Sequence, residues 1–400
     1  MSKAKKWLAV VRDEHWTLAK VLFRKGALHV LRMSELDLGD FGPTEGAGVE
    51  GALPAEMGIE AGSPARAGVV VRDAMLEPAA RLKLWLRREK VPLKQLKLSV
   101  SYLGVITRII VLPKMSSKDL QKLLTEQVEQ YFTLNIEDYV VDYRVIEHFT
   151  EEEQEKQKVL LAALPKSRWE GFYKTCLGAG FKPKVVDLAS DSTLRLYANL
   201  GERKVPKKNV ATVRDMTFNI PSATVNRDIE NGGAGLDWAI VDVGVGHVEF
   251  ILLEQGKFFL YSDMELVFDS LTDALYEYKA LRVRQPSAEL QNEGDTLLES
   301  RQELLRVELE AALFPVLQTL GEFINFFAAR HFGKSIDQVF ITGGFSDLPF
   351  LQELFSDNLG IEAQIGFPKG WRPRFKKKVR AYEEQWMRHA SLYGLAFRED

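Results

Sequence analysis

Between Asp237 and Tyr261 the chain reads Asp-Trp-Ala-Ile-Val-Asp-Val-Gly-Val-Gly-His-Val-Glu-Phe-Ile-Leu-Leu-Glu-Gln-Gly-Lys-Phe-Phe-Leu-Tyr. Ala239 to Val243 is a short apolar run, Gly244 and Gly246 mark a sharp bend, and Val248 to Leu253 resumes a β-branched and aromatic run. A second turn follows at Gln255-Gly256. The pattern predicts a β-hairpin with a buried-type strand on each side of a glycine turn. A carboxylate at the end of a strand, here Asp242, followed by bare glycine backbone is one way of presenting a metal-directed oxygen and N–H groups to a phosphate. The same pattern also fits an ordinary hairpin whose aspartate caps its own turn.

A hundred residues on, Gln338-Val-Phe-Ile-Thr runs into Gly343-Gly344, and a helix predicted near Pro349 to Asn358 closes at Leu359-Gly360. Two strands ending in such turns suggest one cleft. Together with the terminal Tyr393-Gly-Leu-Ala-Phe-Arg398, these features resemble the second half of an actin-like ATPase domain. Within that superfamily, Leu112-Pro-Lys-Met-Ser to Tyr143, Val159-Leu-Leu-Ala-Ala-Leu-Pro-Lys and Gly180-Phe-Lys-Pro-Lys-Val-Val-Asp-Leu resemble the type IV pilus assembly protein PilM family. The cell-division protein FtsA is a further relative that this likeness suggests.

The resemblance implies an α/β, actin-like (ribonuclease H-like) two-lobed fold with a small α/β subdomain inserted in the first half. The expected division is 1–95 for the first half, with a flexible insertion at about 40–68, and 96–184 for the inserted subdomain. Residues 185–235 would return through an interdomain helix and a long loop, and 236–400 would form the second half. The turns at Arg12 to His15 and Val243 to Gly246 would face one cleft, with Gly343-Gly344 beside it.

Trp7 to Val11, Trp16 to Phe23 and Ala27 to Leu31 predict a three-stranded meander. The family's first turn should carry a second Asp-x-Gly phosphate loop with a basic residue on the returning strand. Counting back from Lys20 places Asp13 at the family's aspartate, and a one-residue shift would place Arg12 there. The turn Arg12-Asp13-Glu14-His15-Trp16 has no glycine, and Glu14 adds a like charge where a triphosphate would lie. The family's Arg and Gly-Gly after the second hairpin should fall near Ser262 and Val267-Phe268, and both are missing.

Farther along, Met75 to Lys90 predicts a helix with a basic C-terminal end. Leu96 to Leu112 predicts a hairpin around Leu103-Gly104, and Ser116 to Asp119 a capping box. Leu120, Leu123, Leu124, Val128 and Tyr131 then share a helical face. From Asp263 to about Phe332 the pattern predicts helix, broken near Pro286 to Gly294.

At 46% hydrophobic and 27% charged residues over 400 positions, the chain can bury more than one core. The apolar window Ala311 to Ala329 carries Pro315, Gln318, Thr319, Glu322 and Asn325, so it is expected to be a buried helix rather than a bilayer span. No secretory leader is expected before Trp7, and the single cysteine, Cys176, is expected in the core. Gly333-Lys334-Ser335 lacks the earlier glycine of a P-loop, and Gly244-x-Gly246 leads into a strand, unlike a Rossmann turn. A net charge of −3 argues against a nucleic-acid-coating surface. Lys369 to Arg380, however, mixes Trp371 and Phe375 with seven cations, and an anionic membrane surface, an acidic partner or a solvated loop each fits it.

The expected function is a cytoplasmic scaffold, peripheral to the inner membrane. It would bind the cytoplasmic N-terminal peptide of a bitopic inner-membrane pilus assembly protein, with no nucleic acid and no catalytic residue. ATP with Mg²⁺, weak or absent, would fall to Asp242, Gly244, Gly246, Gly343, Gly344, Asp13 and Lys20, with Asp242 as the metal-directed residue. The rival readings are an actin-like ATP-dependent kinase or ATPase, and an FtsA-like polymerising protein.

Overall fold

The computed structural model describes residues 5–24, 26–39, 77–132, 135–201, 237–244, 246–266, 291–346 and 348–398. The predicted insertion at 40–68, nearly all of the loop at 201–235, and Val267-Phe268 lie outside these residues. The chain divides into two compact units, one of residues 1–189 and 373–383, the other of residues 190–372 and 384–400.

In the first unit, β1 (Lys5–Arg12), β2 (His15–Arg24) and β3 (Ala27–Asp37) form the expected meander. Helix α1 (Pro78–Arg88) starts on a proline, whose missing N–H costs nothing at a helix start, and ends on Arg87 and Arg88, which favour the C-terminal end of its dipole. Strand β4 (Leu96–Ser101) pairs parallel with β1, whereas β5 (Ile106–Pro113) belongs to another sheet. The predicted hairpin around Leu103-Gly104 is therefore a crossing between sheets. Its sequence pattern could not distinguish the two, because an apolar run beside a turn does not specify its hydrogen-bonding partner.

Helix α2 (Ser117–Gln127) begins on the expected cap, with the Ser116 hydroxyl accepting from the Asp119 N–H at 3.2 Å. Strands β6 (Tyr139–Glu151) and β7 (Gln154–Pro165) complete a three-stranded sheet in the order β5-β7-β6. Leu120 and Leu124 of α2 bury against Val159, Leu161 and Ala163 of β7, giving this subdomain its own core. Helix α3 (Lys166–Gly178) returns the chain to the first sheet, where Phe172 stacks on Trp16 at 5.8 Å and Cys176 is fully buried. Gly178 allows α3 to approach α1, since a Cβ there would come within 2.6 Å of the Ala79 Cβ. Strand β8 (Val186–Leu188) pairs parallel with β4.

The second unit opens with helix α4 (Ala189–Gly201), then β9 (Trp238–Val243), β10 (His247–Glu254) and β11 (Lys257–Glu265). Asp263 is thus in a strand paired with Glu249, not in the predicted helix. The helix is α5 (Gln291–Arg330), and residues 267–290, which hold most of the break predicted near Pro286 to Gly294, lie outside the described residues. Leu305, Leu309, Leu313, Val316, Leu317, Leu320, Ile324 and Phe327 form one buried face of α5 against the sheet. By length and composition alone Gln302–Arg330 could cross a bilayer, but this face supplies the unit's core. Strand β12 (Gln338–Thr342), α6 (Leu351–Leu359, closed by left-handed Gly360) and β13 (Ala363–Ile365) follow. The short β14 (Arg374–Phe375) returns to pair with β3 in the first unit, and α7 (Ala390–Leu395) completes the second.

The first sheet runs β14-β3-β2-β1-β4-β8 and the second β11-β10-β9-β12-β13. Setting β14 aside, both have the order third, second, first, fourth, fifth, with an antiparallel meander followed by two parallel additions. The fold is therefore a duplicated ribonuclease H-like sheet.

Candidate functional site

In the first unit the turn joining β1 to β2 consists of Asp13 and Glu14, closed by the pairing of Arg12 with His15. Asp13 takes a left-handed conformation, with φ of 49°, which aspartate tolerates better than most side chains. Its N–H donates to the Ser101 carbonyl at the end of β4, at 3.2 Å, and the Glu14 carbonyl accepts from the Leu38 N–H at 3.1 Å. The Glu14 carboxylate meets the Arg168 guanidinium of α3 at 3.3 Å. Beneath the turn Tyr102 is 2% exposed, and its hydroxyl has no hydrogen-bond partner among the described residues. Burial, and then the charges of Asp13 and Glu14 among its neighbours, push that phenol well above its usual range. The turn is anchored by two backbone hydrogen bonds and by the Glu14–Arg168 ion pair.

Lys20 is not at this turn. It pairs across the strands with Trp7, five positions from the His15 end of β2 or about 17 Å along a strand, and its ammonium lies 4.8 Å over the Trp7 ring. Burial, with Lys5 and Arg32 nearby, lowers its pKa.

In the second unit Asp242 is the penultimate residue of β9, 1% exposed, with Glu249 opposite it on β10 and Thr342 opposite it on β12. Cross-strand partners share a face, so these three side chains form one buried row. The Tyr261 hydroxyl donates to Glu249 at 3.2 Å, and the Thr342 hydroxyl to the Met387 carbonyl at 2.7 Å. Tyr197 of α4 lies close enough that Asp242, after burial itself, raises its pKa, and its hydroxyl donates to the Gly366 carbonyl at 2.8 Å.

Gly343 has φ of 106°, and a Cβ on it would come within 2.5 Å of the Val243 carbonyl and 2.6 Å of Asp242 Oδ1. The glycine is thus what allows β12 to press against the Asp242 carboxylate. The Gly343 N–H donates to the Met387 carbonyl at 3.3 Å, the Gly244 N–H to the His247 carbonyl at 3.1 Å, and the Phe345 N–H to the Val243 carbonyl at 3.0 Å. Gly246 is left-handed, and its carbonyl accepts from Leu266 at 2.9 Å.

The structure therefore brings Asp242, Gly244 and Gly343 together in one strand-end cluster, as the sequence predicts, and Gly246 and Gly344 adjoin them in the chain. It adds Thr342, Glu249 and Tyr197. Glu249 was within reach of sequence reasoning, being seven residues past Asp242 on the returning strand. Tyr197 and Arg168 were not, because each meets its partner through tertiary folding alone. Gly333-Lys334-Ser335 also acquires a role: the Lys334 ammonium donates to Asp237, which is 3% exposed at the start of β9.

Residues 71–217, less than half of the chain, match the family model of the type IV pilus assembly protein PilM. Among solved structures, the PilM–PilN type IV pilus biogenesis complex is similar with 18% identity and a TM-score of 0.59, over 99% of each chain. EutJ, an ethanolamine utilization protein from Carboxydothermus hydrogenoformans, is similar with 13% identity over 99% of this chain and 90% of that one, at a TM-score of 0.40. MreB 5 of Spiroplasma citri, solved bound to AMPPNP, shows 10% identity over 58% of this chain and 64% of that one, at a TM-score of 0.32. The matched segment is thus similar to the PilM family, and the duplicated sheets share their actin-like fold with a PilM structure along nearly the whole length of the chain.

Proposed function

We propose that the chain is a cytoplasmic scaffold at the inner membrane, serving a type IV pilus or a related secretion machine. Its task is to hold the cytoplasmic N-terminal segment of a bitopic assembly protein. The observation that carries this reading is the PilM family match, which spans the whole three-stranded subdomain together with α1 and α3. The similar PilM structure was solved in a complex with PilN, which supports an inner-membrane assembly protein as the partner class. Strand β5 pairs only with β7 among the described strands and so keeps one edge open. An extended segment added there would gain main-chain hydrogen bonds, and the alternating side chains would supply specificity.

The test follows from the register. Ile106 and Ala163 are cross-strand partners, so residues 106–163 can be excised and the ends joined by a short glycine linker without pulling β4 from the first sheet. The N-terminal peptide of the assembly protein should bind the full chain and lose its binding in the excised one. Unchanged affinity in a folded excision variant would reject the docking site.

The nucleotide reading that the fold suggests does not fit these residues. At the first turn there is no glycine, the Asp13 N–H already serves the Ser101 carbonyl, and Glu14 contributes a carboxylate, paired with Arg168, rather than a donor. At the second, the Gly244 and Gly343 N–H groups bond within the unit, and Asp242 is 1% exposed rather than open to the water shell Mg²⁺ retains. Each charge-assisted hydrogen bond forgone costs about 1.5–3 kcal/mol, so losing several weakens ATP by orders of magnitude. The protein is a pseudo-ATPase in this reading. Calorimetric titration with ATP and Mg²⁺ should give weak or no heat, and low-micromolar binding abolished by Asp242→Ala would show it wrong.

A further inference from the structure

Between Glu362 and Glu383 there is no carboxylate side chain, although the protein as a whole carries a net charge of −3. The cations in this stretch are not on a wandering loop. Arg374 and Phe375 form β14, the outermost strand of the first sheet, in parallel register with His29 and Val30 of β3. The Lys376 N–H then donates to the Val30 carbonyl at 3.1 Å, and the Val379 N–H to the Lys376 carbonyl at 2.9 Å. Val379 is buried, and the Tyr382 phenol is sunk deeply enough that burial, then Glu35 and Glu89, push its pKa up to about 12. The backbone is thus pinned at both ends, while Arg374, Lys376, Lys377, Lys378 and Arg380 are all exposed and Phe375 is half-buried among them. No ion pair engages these five cations among the described residues.

The positive field continues inward. Lys20, on the strand beyond β3, has its pKa lowered by burial and then by Lys5 and Arg32. Arg32 is held by the Glu89 carbonyl at 2.9 Å, while Glu35 and Glu89 lie at the Tyr382 end of the strip. We propose that this rigid edge, from Arg374 to Arg380, is an electrostatic contact for an anionic lipid surface.

Two features favour a membrane over an acidic protein. Three consecutive lysines are compact, strongly hydrated point charges suited to a diffuse anionic surface, whereas recognition of individual carboxylates favours the fork of arginine. The cations also stand on an outermost strand rather than in a groove, and a half-exposed aromatic among them suits a headgroup layer. The alternative role for such charges is to keep a sheet edge from pairing with another chain. This inference does not depend on the partner reading, because the strip lies outside the segment excised to test that one.

The experiment is co-sedimentation of the full chain, without any partner, with phosphatidylcholine vesicles and with vesicles containing phosphatidylglycerol. Binding is expected to the second only and to weaken steeply with salt. Each lysine near such a surface contributes a factor of about five, so Lys376→Gln, Lys377→Gln and Lys378→Gln together should weaken binding about a hundredfold. If the triple variant fails to fold, the single Lys377→Glu and the salt dependence of the unaltered chain serve instead. A parallel titration with poly-glutamate separates the partner classes. Binding of poly-glutamate that is lost in the variant, without binding to anionic vesicles, would assign the strip to an acidic protein. Binding of neither would leave it an edge guard, and either result overturns the proposal.

Discussion

Gly343 shows how much one missing side chain determines. Its φ of 106° and the 2.5 Å that would separate a Cβ from the Val243 carbonyl leave no room for alanine. Gly343→Ala should cost about 3 kcal/mol or more, read as a fall in the denaturant midpoint, and an unchanged midpoint would mean β12 does not press on Asp242 as described. His331 is the residue whose charge geometry demands. Its two ring nitrogens lie 2.7 Å from the Phe327 carbonyl and 2.7 Å from the Glu254 carboxylate, both of which only accept, so the ring holds both protons. Burial opposes that charge, but the hydrogen bonds to Glu254 and Phe327 outweigh it, and the pKa is raised. A raised folded pKa means the stabilisation is complete below the ordinary value of about 6.5 and is lost as pH rises through the folded value. The stability difference between the natural chain and His331→Gln should therefore shrink on going from mildly acidic to mildly alkaline solution. A difference constant with pH would remove the charged-histidine account.

At the scale of elements, α5 separates two adjacent side chains by face. Leu313 is fully buried in the second unit's core and Phe314 is 60% exposed. Leu313→Ala should cost about 3 kcal/mol through the cavity it leaves, whereas Phe314→Ala should stay within about 0.5 kcal/mol. Comparable losses from both would mean that the helix is rotated about its axis. The elements themselves were largely legible: the meander, α2 with its Ser116 cap, the hairpin around Gly244 and the Gly360 stop all follow from period and turn residues. What sequence missed was pairing. The run from Leu96 to Leu112 reads as two strands and a glycine turn, and nothing in it says that β4 joins β1 while β5 joins β7. The helix predicted from Asp263 onward overruns the last three residues of β11, too short a stretch for periodicity to mark the boundary, and pairing with β10 decides the matter.

For the whole molecule, excising residues 106–163 should remove one hydrophobic core and leave two. The subdomain's apolar cluster is self-contained, and the first sheet draws its core from Leu8, Val10, Trp16, Leu18 and Phe172. Far-ultraviolet circular dichroism and a cooperative unfolding transition should survive the excision, and their loss would mean that the subdomain is part of the first sheet's folding unit.

The sequence by itself determined the first meander, the hairpin with its glycine turn at Gly244, the Ser116 cap, the Gly360 stop, the absence of glycine at Asp13-Glu14, and the basic strip, because each of these is local chemistry read within a few residues. The tertiary structure alone decided that Arg168 closes on Glu14, that Tyr197 and Thr342 flank Asp242, that Lys20 lies far along its strand from the turn, and that the basic strip is a sheet edge. Each of those facts depends on which strand pairs with which, and pairing is settled by burial and hydrogen bonding between segments far apart in the chain.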